Sequence, residues 1–538
     1  MRFQLWVVLL VSTLLYAQGS VTIFGTVTDP SGAAIPGVAV TAVNAETGAI
    51  RRAVSDPSGG YVISQLPIGS YSVRVEAAGF KSFVQEQINV QVDENRRVNV
   101  ALEVGALSES VTVSGEAAQV ETRSGALREV VDSRRIVELP LNGRNALQLQ
   151  YLVAGSGGRM TAGQEQNDSV SINGSRTNSN NYTLDNGDNH DPYFNTPSVF
   201  PNPDALEEFS LQTNSYGADK GRNAGAVMNA VTRSGTNALH GSLFEFLRNE
   251  KLNARNFFAN NVPPFKRNQF GGTVGGPIRK DKTFYFASYQ RTSERSAPGS
   301  ITPTVLTPAQ RTGDFSGLGK PIKDPLGGTF PNGVIPASRL NKASLNFLNA
   351  FVPLPNRPQG LYTFSSQQKV DDDQVIAKID HNLTAANQIT GRFLFSYNDL
   401  NQSVGNVTLP GFLASIKYAD FNTAITDTHI FRPTLVNVFT FGFIDIQRKQ
   451  IPIVPGNKSW TDFGAGFTRA FPEAGSNAAP VGHDTQVDGY FQAQSRFPLN
   501  HFRKSFQFSD GLNWTRGAHL FKMGGDVRRS ILNLQELF

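Results

Sequence analysis

The chain has no cysteine among its 538 residues, so no disulfide bond can hold any part of it together. After Ser20 it also has no run of 18 or more apolar residues, which excludes membrane-spanning helices from that point on. Its 7 histidines are scattered, and none stands at the spacing of metal ligands. A chain of this kind must be stabilised by large hydrophobic cores or by a closed β-barrel.

Strong charge of one sign is also missing. Lys and Arg number 49 against 44 Asp and Glu, and the net charge of +5 is spread without long basic runs, which argues against a nucleic-acid partner. Neither His-Glu-x-x-His nor Gly-x-Ser-x-Gly occurs, so we expect no enzyme, no cofactor and no bound metal. Asp185, Asp188 and Asp191 form an acidic cluster that does not match an EF-hand, and a solvated turn is the expected structure there.

The first 19 residues read as a signal peptide. Arg2 gives a basic start, Leu5 to Leu15 form an apolar stretch, and Ala17-Gln18-Gly19 offers a cleavage site between small residues. A buried N-terminal strand or an uncleaved anchor is the alternative.

Residues 21–104 alternate short apolar strands with tight turns. Asp29-Pro30-Ser31-Gly32 and Asp56-Pro57-Ser58-Gly59 suit such turns, because proline presets φ, aspartate bonds the local backbone and glycine accepts positive φ. About seven short strands in this length predict a small β-sandwich.

Residues 105–115 form a linker that contains a short β-prone stretch, 107–114. Such a stretch can add as an extra strand to the exposed sheet edge of a partner. The last strand of the sandwich or a simple linker would account for it equally well.

Residues 116–236 have a mixed pattern that predicts a compact α+β unit. A helical stretch over 133–152 is interrupted at Asn142-Gly143-Arg144. Residues 204–209 read as one amphipathic helical turn, with Asp204 as its N-cap and Glu207 three residues on. Residues 225–232 read as a strand.

From residue 237 onward the pattern is that of long amphipathic strands. Ile389, Phe393 and Phe395 fall on one face of such a strand, while Arg392 and Leu394 fall on the other. At roughly ten residues each, tilted strands could cross a membrane. The 38 phenylalanines would supply most of the lipid-facing surface. Residues 291–370, rich in proline and glycine, would form one long external loop, and residues 371–373, Asp-Asp-Asp, a charged turn.

The number of strands sets a limit on the barrel. A lumen wide enough for a folded plug of about 120 residues needs roughly 22 strands, whereas about eight leave room only for side chains. Only about ten to twelve candidate strands follow Gly241. The predicted fold class is therefore mainly β, with an N-terminal β-sandwich, an α+β plug and an incomplete antiparallel transmembrane β-barrel. We expect the chain to be the N-terminal part of a longer protein, and the aromatic Phe538 to be last by accident.

Two resemblances rest on particular motifs. Residues 21–104 resemble the carboxypeptidase regulatory-like domain, which has a carbohydrate-binding-like fold. The motifs are the opening Gly25-Thr26-Val27-Thr28-Asp29, the turn Asp56-Pro57-Ser58-Gly59-Gly60-Tyr61 and the strand entry Pro67-Ile68-Gly69-Ser70-Tyr71. The longer chain resembles TonB-dependent outer-membrane receptors of the Oar-like type. The motifs that carry this resemblance, in family order, are Leu139-Pro140-Leu141-Asn142-Gly143-Arg144-Asn145, Ile172-Asn173-Gly174-Ser175-Arg176, Pro203-Asp204-Ala205-Leu206-Glu207-Glu208-Phe209, Tyr216-Gly217-Ala218-Asp219-Lys220-Gly221-Arg222, Arg233-Ser234-Gly235-Thr236-Asn237 and Phe270-Gly271-Gly272-Thr273-Val274-Gly275-Gly276-Pro277. One departure is Leu184-Asp185-Asn186-Gly187, where the family has Asp-Gly.

The second resemblance implies a function. The protein would lie in the bacterial outer membrane with its sandwich in the periplasm, and would import a bulky solute (siderophore, oligosaccharide or peptide). Its partners would be a TonB-type inner-membrane energy-coupling protein, outer-membrane lipid, and an extracellular carbohydrate or iron-siderophore. The alternative is an outer-membrane adhesion or polysaccharide-binding envelope protein that does not transport.

The same resemblance implies two groups of site residues. The strand in contact with TonB would consist of Glu109, Ser110, Val111, Thr112 and Val113. The plug residues would be Asn142, Gly143, Arg144, Asn173, Gly174, Arg176 and Arg222. Among these, Arg144, Arg176 and Arg222 are expected to face the lumen wall and to hold the plug by ion pairs.

Overall fold

The computed structural model of the chain describes residues 21–106, 109–114, 124–159, 169–220, 223–255, 257, 261–297, 300–402, 408–458, 460–466, 485–493, 498–516 and 519–536. The predicted signal peptide, Arg222 and Phe538 lie outside these residues. The described residues form three connected structures: a sandwich (21–114), an inner domain (124–236) and a wall of long strands (240–536). The predicted fold class, mainly β with a sandwich before a large antiparallel sheet, is confirmed.

The sandwich consists of two sheets that enclose one apolar core. One sheet has the order β4-β1-β7, with β8 also paired to β1, and the other has the order β3-β2-β5-β6-β9. Alternate residues of each strand point inward, among them Ile23, Val40 and Val73, because strand side chains alternate between faces. The strands are β1 Val21–Thr28, β2 Ala39–Asn44, β3 Ile50–Val54, β4 Gly60–Leu66, β5 Gly69–Glu76, β6 Ser82–Val90, β7 Asn95–Arg97, β8 Val100–Ala101 and β9 Ser110–Ser114.

The inner domain is built on a five-stranded sheet with the order β10-β15-β16-β13-β14. A short helix, α1 (Ser133–Glu138), follows β10 directly, and the side chain of Asp132 caps it by accepting from the Arg135 N–H. The strands are β10 Leu127–Asp132, β11 Ser156–Arg159, β12 Val170–Ile172, β13 Asn181–Leu184, β14 Gly187–Asp188, β15 Leu206–Asn214 and β16 Val227–Thr232, and the 3₁₀ helices are Ala146–Leu152, Thr177–Ser179, Pro203–Ala205 and Ala218–Lys220.

The predicted helical turn over 204–209 is wrong. Only Pro203–Ala205 is helical, with Asn202 as its cap, and β15 begins at Leu206. Strand β15 is paired on both sides, with β10 and β16, and both of its faces are covered. A strand of this kind lacks the period of two that would have identified it in the sequence.

Nine long antiparallel strands form the wall, in the order β17-β18-β19-β20-β21-β22-β23-β26-β27. Each pairs with the next in the sheet, and no described strand pairs β17 with β27. Its strands are β17 His240–Asn249, β18 Phe265–Arg279, β19 Thr283–Ser296, β20 Gln368–Thr384, β21 Asn387–Gln402, β22 Leu413–Arg432, β23 Leu435–Ile453, β26 Leu499–Arg516 and β27 His519–Glu536, and a separate small hairpin contains β24 Thr485–Val487 and β25 Phe491–Ala493.

The two faces of the wall differ as the alternation predicts. On β21, Phe393 is 40% exposed on the outer face, while Arg392 and Leu394 are buried against the inner domain. Leu394 joins Phe286 and Ile376 of neighbouring strands in the apolar core of the inner domain. The outer face is therefore apolar and the inner face carries polar and charged groups, which is the pattern of a transmembrane barrel. None of the described helices is both long and apolar enough to span a bilayer.

At one end of the wall the strands join by short turns, and at the other by long connections. The connection between β19 and β20 is folded rather than a plain loop: it contains α2 (Pro308–Arg311) and α3 (Lys342–Phe351). Phe347 and Phe351 of α3 pack against Phe412, Trp460 and Phe463 of the other long connections. These connections thus share one aromatic core at the end of the wall opposite the short turns.

The predicted charged turn at residues 371–373 is also wrong, because these residues lie inside β20. Asp371 and Asp373 face outward and pair with Arg295 and Arg291 of β19, at 2.8 and 2.7 Å. Asp372 faces inward. The sequence did not reveal the cations that neutralise this run, since they lie on a neighbouring strand.

The outward face of β21 gives a first testable prediction. Phe393 lies six residues from the start of β21, which is about 20 Å along the strand. If the strand is tilted by about 40° from the membrane normal, this distance corresponds to a depth of roughly half the thickness of the bilayer core. Phe393→Arg should destabilise the membrane-inserted protein by about 2–4 kcal/mol, measured by reversible unfolding from lipid vesicles. Ile389→Arg, on the same face but close to the turn, should cost no more than about 1 kcal/mol. Equal costs at both positions would contradict this membrane position.

Candidate functional site

The inner domain meets the wall through a tight hairpin between β13 and β14. Asp185 and Asn186 both have positive φ, 47° and 66°, as the two central residues of a type I′ turn require. This explains why Asp-Asn precedes Gly187 in place of a simple Asp-Gly. A Cβ at Gly187 would stand 2.9 Å from the Ala424 Cβ of the wall, so glycine lets the hairpin approach β22.

Asp185 lies between two cations of the wall. Its Oδ1 is 3.1 Å from the Lys378 Nζ of β20, and its Oδ2 is 3.0 Å from the Arg392 Nε of β21. The three side chains are almost fully buried, with exposures of 6%, 5% and 0%. The Lys378 Nζ also donates to the Thr232 carbonyl, and the Asp185 Oδ2 accepts from the Thr232 hydroxyl. Each charge is thus both paired and hydrogen-bonded, which burial demands.

Two further aspartates repeat the arrangement along the same segment. Arg503 of β26 pairs with Asp191 at 2.9 Å, and Arg528 of β27 pairs with Asp188 at 3.3 Å. The Asp188 Oδ1 is also 2.6 Å from the His190 Nδ1. Asp188 and Asp191 are buried, so the prediction of a solvated turn at this acidic cluster is wrong. The inner domain contributes the acids, and the wall contributes the bases.

Neutral hydrogen bonds extend this contact around the wall. The Gln374 Oε1 of β20 accepts from the Asn202 backbone N–H at 2.6 Å, and the Asn202 side chain donates to the Ser288 hydroxyl of β19. On the other side, Asn422 of β22 donates to the Asn189 Oδ1 at 2.7 Å. The inner domain is therefore bonded to at least five strands of the wall.

Among the residues predicted for the plug, the Asn142-Gly143-Arg144 segment faces the wall. The guanidinium of Arg144 lies over the rings of Phe244 and Phe246 of β17, 4.6 and 4.1 Å from their centroids. Its ion pair, however, is formed within the inner domain, with Asp204. The Asn142 Oδ1 accepts from Arg248 and Arg267 of the wall, each at 3.3 Å, and the Gly143 carbonyl accepts from Gln269.

The other predicted plug residues lie elsewhere. Asn173, at φ 50°, and Gly174, at φ 77°, form an exposed turn, and the Asn173 side chain donates to the Thr213 carbonyl of the inner domain. The Arg176 side chain is exposed and has no ion pair with any described residue. Arg222 lies outside the described residues. Ion pairs between inner domain and wall are present, but neither Arg144 nor Arg176 forms one of them. The only available signal for the true partners was a single cation on the inward face of an aromatic strand, such as Arg392.

Four of the five predicted TonB-contacting residues, Ser110 to Val113, lie in β9 at the edge of a sandwich sheet, and Glu109 directly precedes this strand. Strand β9 runs parallel to β6, with Ser82 paired to Ser110 and Phe83 to Val111, and no described strand pairs with its other side. The Ser82 N–H donates to the Glu109 carbonyl. Because backbone groups alternate in direction, Val111 and Val113 also bond β6, whereas the N–H groups of Ser110 and Thr112 face the free edge.

The sandwich touches the inner domain through the loop after β6, residues 91–94, here called the latch loop. The Val92 N–H donates to the carboxylate of Glu208 on β15, and the Val92 carbonyl accepts from Arg128 of β10 at 2.6 Å. Burial raises the pKa of Glu208 to about 7, against the opposing effect of the Val92 N–H. Nearby Glu207 and Glu94 raise this pKa further, and Arg128 lowers it. Together, sandwich, inner domain and wall line a cavity of about 720 Å³ at the end of the wall with short turns.

No group of acidic or histidine side chains among the described residues is arranged to hold a metal ion. The contacts instead hold a folded inner domain against the wall through buried charge pairs.

Comparisons with known proteins agree with this geometry. Residues 231–537 match a family model described as outer membrane beta barrel domain, and residues 22–103 match the carboxypeptidase regulatory-like domain. The TonB-dependent transporter Oar of Myxococcus xanthus is a relative, 32% identical over 298 residues, which are 52% of this chain and 27% of the relative. In that match the chain spans about a quarter of the relative's length.

Two solved structures also match part of the chain. The outer membrane transporter YddB from Escherichia coli is 12% identical with a TM-score of 0.45, and the match covers 76% of this chain and 53% of that one. The siderophore receptor PiuA from Acinetobacter baumannii is 15% identical with a TM-score of 0.36, and the match covers 76% and 62%.

Removing the charge of Asp185 should loosen the inner domain. Asp185→Asn leaves Lys378 and Arg392 buried without an anion, which we expect to cost about 3–5 kcal/mol. The measurement is a urea titration in lipid vesicles that follows protection of the inner domain from protease. Glu138→Gln, which breaks the exposed Arg134–Glu138 pair, should change the midpoint by less than about 0.5 kcal/mol. A loss no larger than that of the control would show that the buried pairs do not hold the inner domain.

Glu208 should make the docked sandwich less stable as pH rises. Because its pKa is raised from 4.5 to about 7 in the folded protein, the folded state holds the proton more tightly, and stability falls between about pH 4.5 and 7. Glu208→Gln should therefore stabilise the folded protein at pH 8 by up to roughly 3 kcal/mol, which raises the thermal midpoint of unfolding. At pH 4 the same substitution should leave the midpoint unchanged. The exposed Glu86→Gln is the matched control. The same shift at both pH values would argue against a titrating Glu208.

Proposed function

Because the chain belongs to the outer membrane beta barrel domain family, we propose that it is a TonB-dependent receptor that imports a bulky solute across the outer membrane. In this function the inner domain is the plug, the wall is the barrel, and a TonB-type inner-membrane protein supplies the energy by pulling on β9. The solute belongs to the siderophore, oligosaccharide or peptide class. The observation that carries the proposal is a folded domain bonded inside a membrane-type wall by buried charge pairs.

The character of that contact supports a movable plug. A plug that never moves could be held equally well by apolar packing, because replacing buried ion pairs by apolar groups is often neutral or stabilising. Here Asp185, Asp188 and Asp191 all meet cations of the wall. Charged groups of this kind can be rehydrated when the plug moves, so the interface tolerates opening better than an apolar one would.

The geometry of β9 supports the role of coupling strand. A partner that adds a strand to the free edge would bond the backbone of Ser110 and Thr112, and its affinity would come from main-chain hydrogen bonds. This edge belongs to the sandwich, at the end of the wall where the strands join by short turns. Short turns are typical of the periplasmic end of a barrel, which is the side that an inner-membrane protein can reach.

A proline in β9 tests the coupling role. Thr112→Pro removes an N–H that faces the free edge but leaves the bonds of β9 to β6, so the affinity for the periplasmic domain of the TonB-type protein from the same genome should fall at least about tenfold. The affinity is measured by titration calorimetry on the full chain in nanodiscs.

Thr112→Val is the matched control, since it alters the same side chain and keeps the N–H, and it should bind as the unaltered chain does. Unchanged binding by Thr112→Pro, or absence of binding by every form, would overturn the proposal and favour the adhesion or polysaccharide-binding alternative. In that case the sandwich should bind surface polysaccharide with or without residues 107–114.

A further inference from the structure

The latch loop, residues 91–94, inserts a buried aspartate into the inner domain. The carboxylate of Asp93 accepts from the Ser210 hydroxyl of β15 at 2.7 Å and from the Asn229 amide of β16 at 3.3 Å, and it pairs with the Lys220 Nζ at 2.9 Å. The side chain is only 5% exposed. Burial alone would raise the pKa of Asp93, but Lys220 and these hydrogen bonds outweigh it and lower the pKa to about 2. Asp93 is therefore a charged anchor at neutral pH.

The backbone of the same loop is bonded as well. Val92 donates to Glu208 and accepts from Arg128, so that together with Asp93 the loop reaches β10, β15 and β16. These three strands are neighbours in the central sheet of the inner domain. A load on the latch loop is thus shared by three strands, not carried by one.

The latch loop is connected to β9 by a very short route. Strand β9 is hydrogen-bonded along β6 from Ser82 to Glu86, and β6 ends at Val90, directly before the loop. Along the chain itself, by contrast, residues 115–126 separate the end of β9 from the start of β10. A pull on β9 reaches the inner domain through the sandwich over fewer residues than through the covalent chain.

The sandwich also touches the wall, but less firmly. Arg51 donates to the Ala385 carbonyl at 3.3 Å and to the Gln388 Oε1 at 3.2 Å, and the Glu46 carbonyl accepts from the Asn237 N–H at 3.0 Å. No ion pair joins the described residues of the sandwich and the wall. Under load, contacts to neutral acceptors should separate before the buried charge pair of Asp93, since charge-assisted bonds with both partners ionised are the stronger ones.

We propose that the sandwich is the lever through which a pull on β9 reaches the inner domain, with Asp93 as its anchor. The sandwich leaves the turns of the wall, remains bound to β10, β15 and β16, and transmits the force to their sheet before the covalent connection through residues 115–126 bears it. This inference rests on the proposed role of β9 as the strand that is pulled. The inference goes beyond the role of β9, because it specifies the residues through which the force reaches the inner domain.

Single-molecule pulling tests the lever directly. Because the chain has no cysteine, Val113→Cys gives a unique handle on β9, where the side chain is 40% exposed. The full chain is held in a supported bilayer and pulled away from it. With Asp93 present, unfolding of the inner domain should be the first event, and the chain should not lengthen before it. With Asp93→Ala added, the sandwich should release first, and the chain should then lengthen before the connection 115–126 bears the load. The upper limit of this lengthening is about 40 Å, because each residue spans at most about 3.4 Å.

The matched variants make each outcome decisive. Lys220→Met removes the same ion pair from the side of the inner domain and should reproduce the early extension, also if Asp93→Ala fails to fold. Asp29→Ala, an exposed turn aspartate of the sandwich, should behave as the parent chain does. The proposal would be overturned if the parent chain lengthened before its inner domain unfolds. It would also be overturned if neither Asp93→Ala nor Lys220→Met showed this early lengthening. The experiment requires neither partner nor solute, so its failure would leave the transport proposal, tested by Thr112→Pro, standing.

Discussion

The placement of one carboxylate between two cations organises the centre of this molecule. Asp185 can be buried as an anion only because Lys378 and Arg392 meet it from two adjacent strands of the wall, and these cations can be buried only because Asp185 is there. The type I′ turn and Gly187 bring the hairpin close enough for this contact. The wall and the inner domain are therefore not independent: each supplies the charges that the other needs.

The sandwich is attached to the inner domain by the same kind of interaction, and Asp93 and Asp185 line the same cavity. Asp93 is held by Lys220, Ser210 and Asn229, much as Asp185 is held by the wall. Since β6 leads directly into this anchor and also pairs with β9, the sandwich connects an exposed sheet edge to the inside of the protein. In an outer-membrane protein related to a TonB-dependent transporter, this gives an accessory domain a direct mechanical connection to the domain inside the wall.

The sequence predicted local structure well and contacts between charges poorly. The outward Phe393 and the inward Arg392 and Leu394 follow from alternation alone, and the Asp-Pro-Ser-Gly turns follow from the backbone preferences of their residues. By contrast, residues 371–373 were predicted as a charged turn, because the strand that carries Arg291 and Arg295 and lies beside them is distant in the sequence. Strand β15 was missed because it is covered on both faces and so has no simple period.

By itself, then, the sequence determined most of the long wall strands, which face of each is apolar, and the tight turns of the sandwich, because these properties depend on residues within a few positions of one another. Only the tertiary structure decided which charges meet. Asp185 and Lys378 are 193 residues apart, and Asp93 and Lys220 are 127 apart. An ion pair depends on distance in space and on exclusion of water, and neither can be read from positions along the chain.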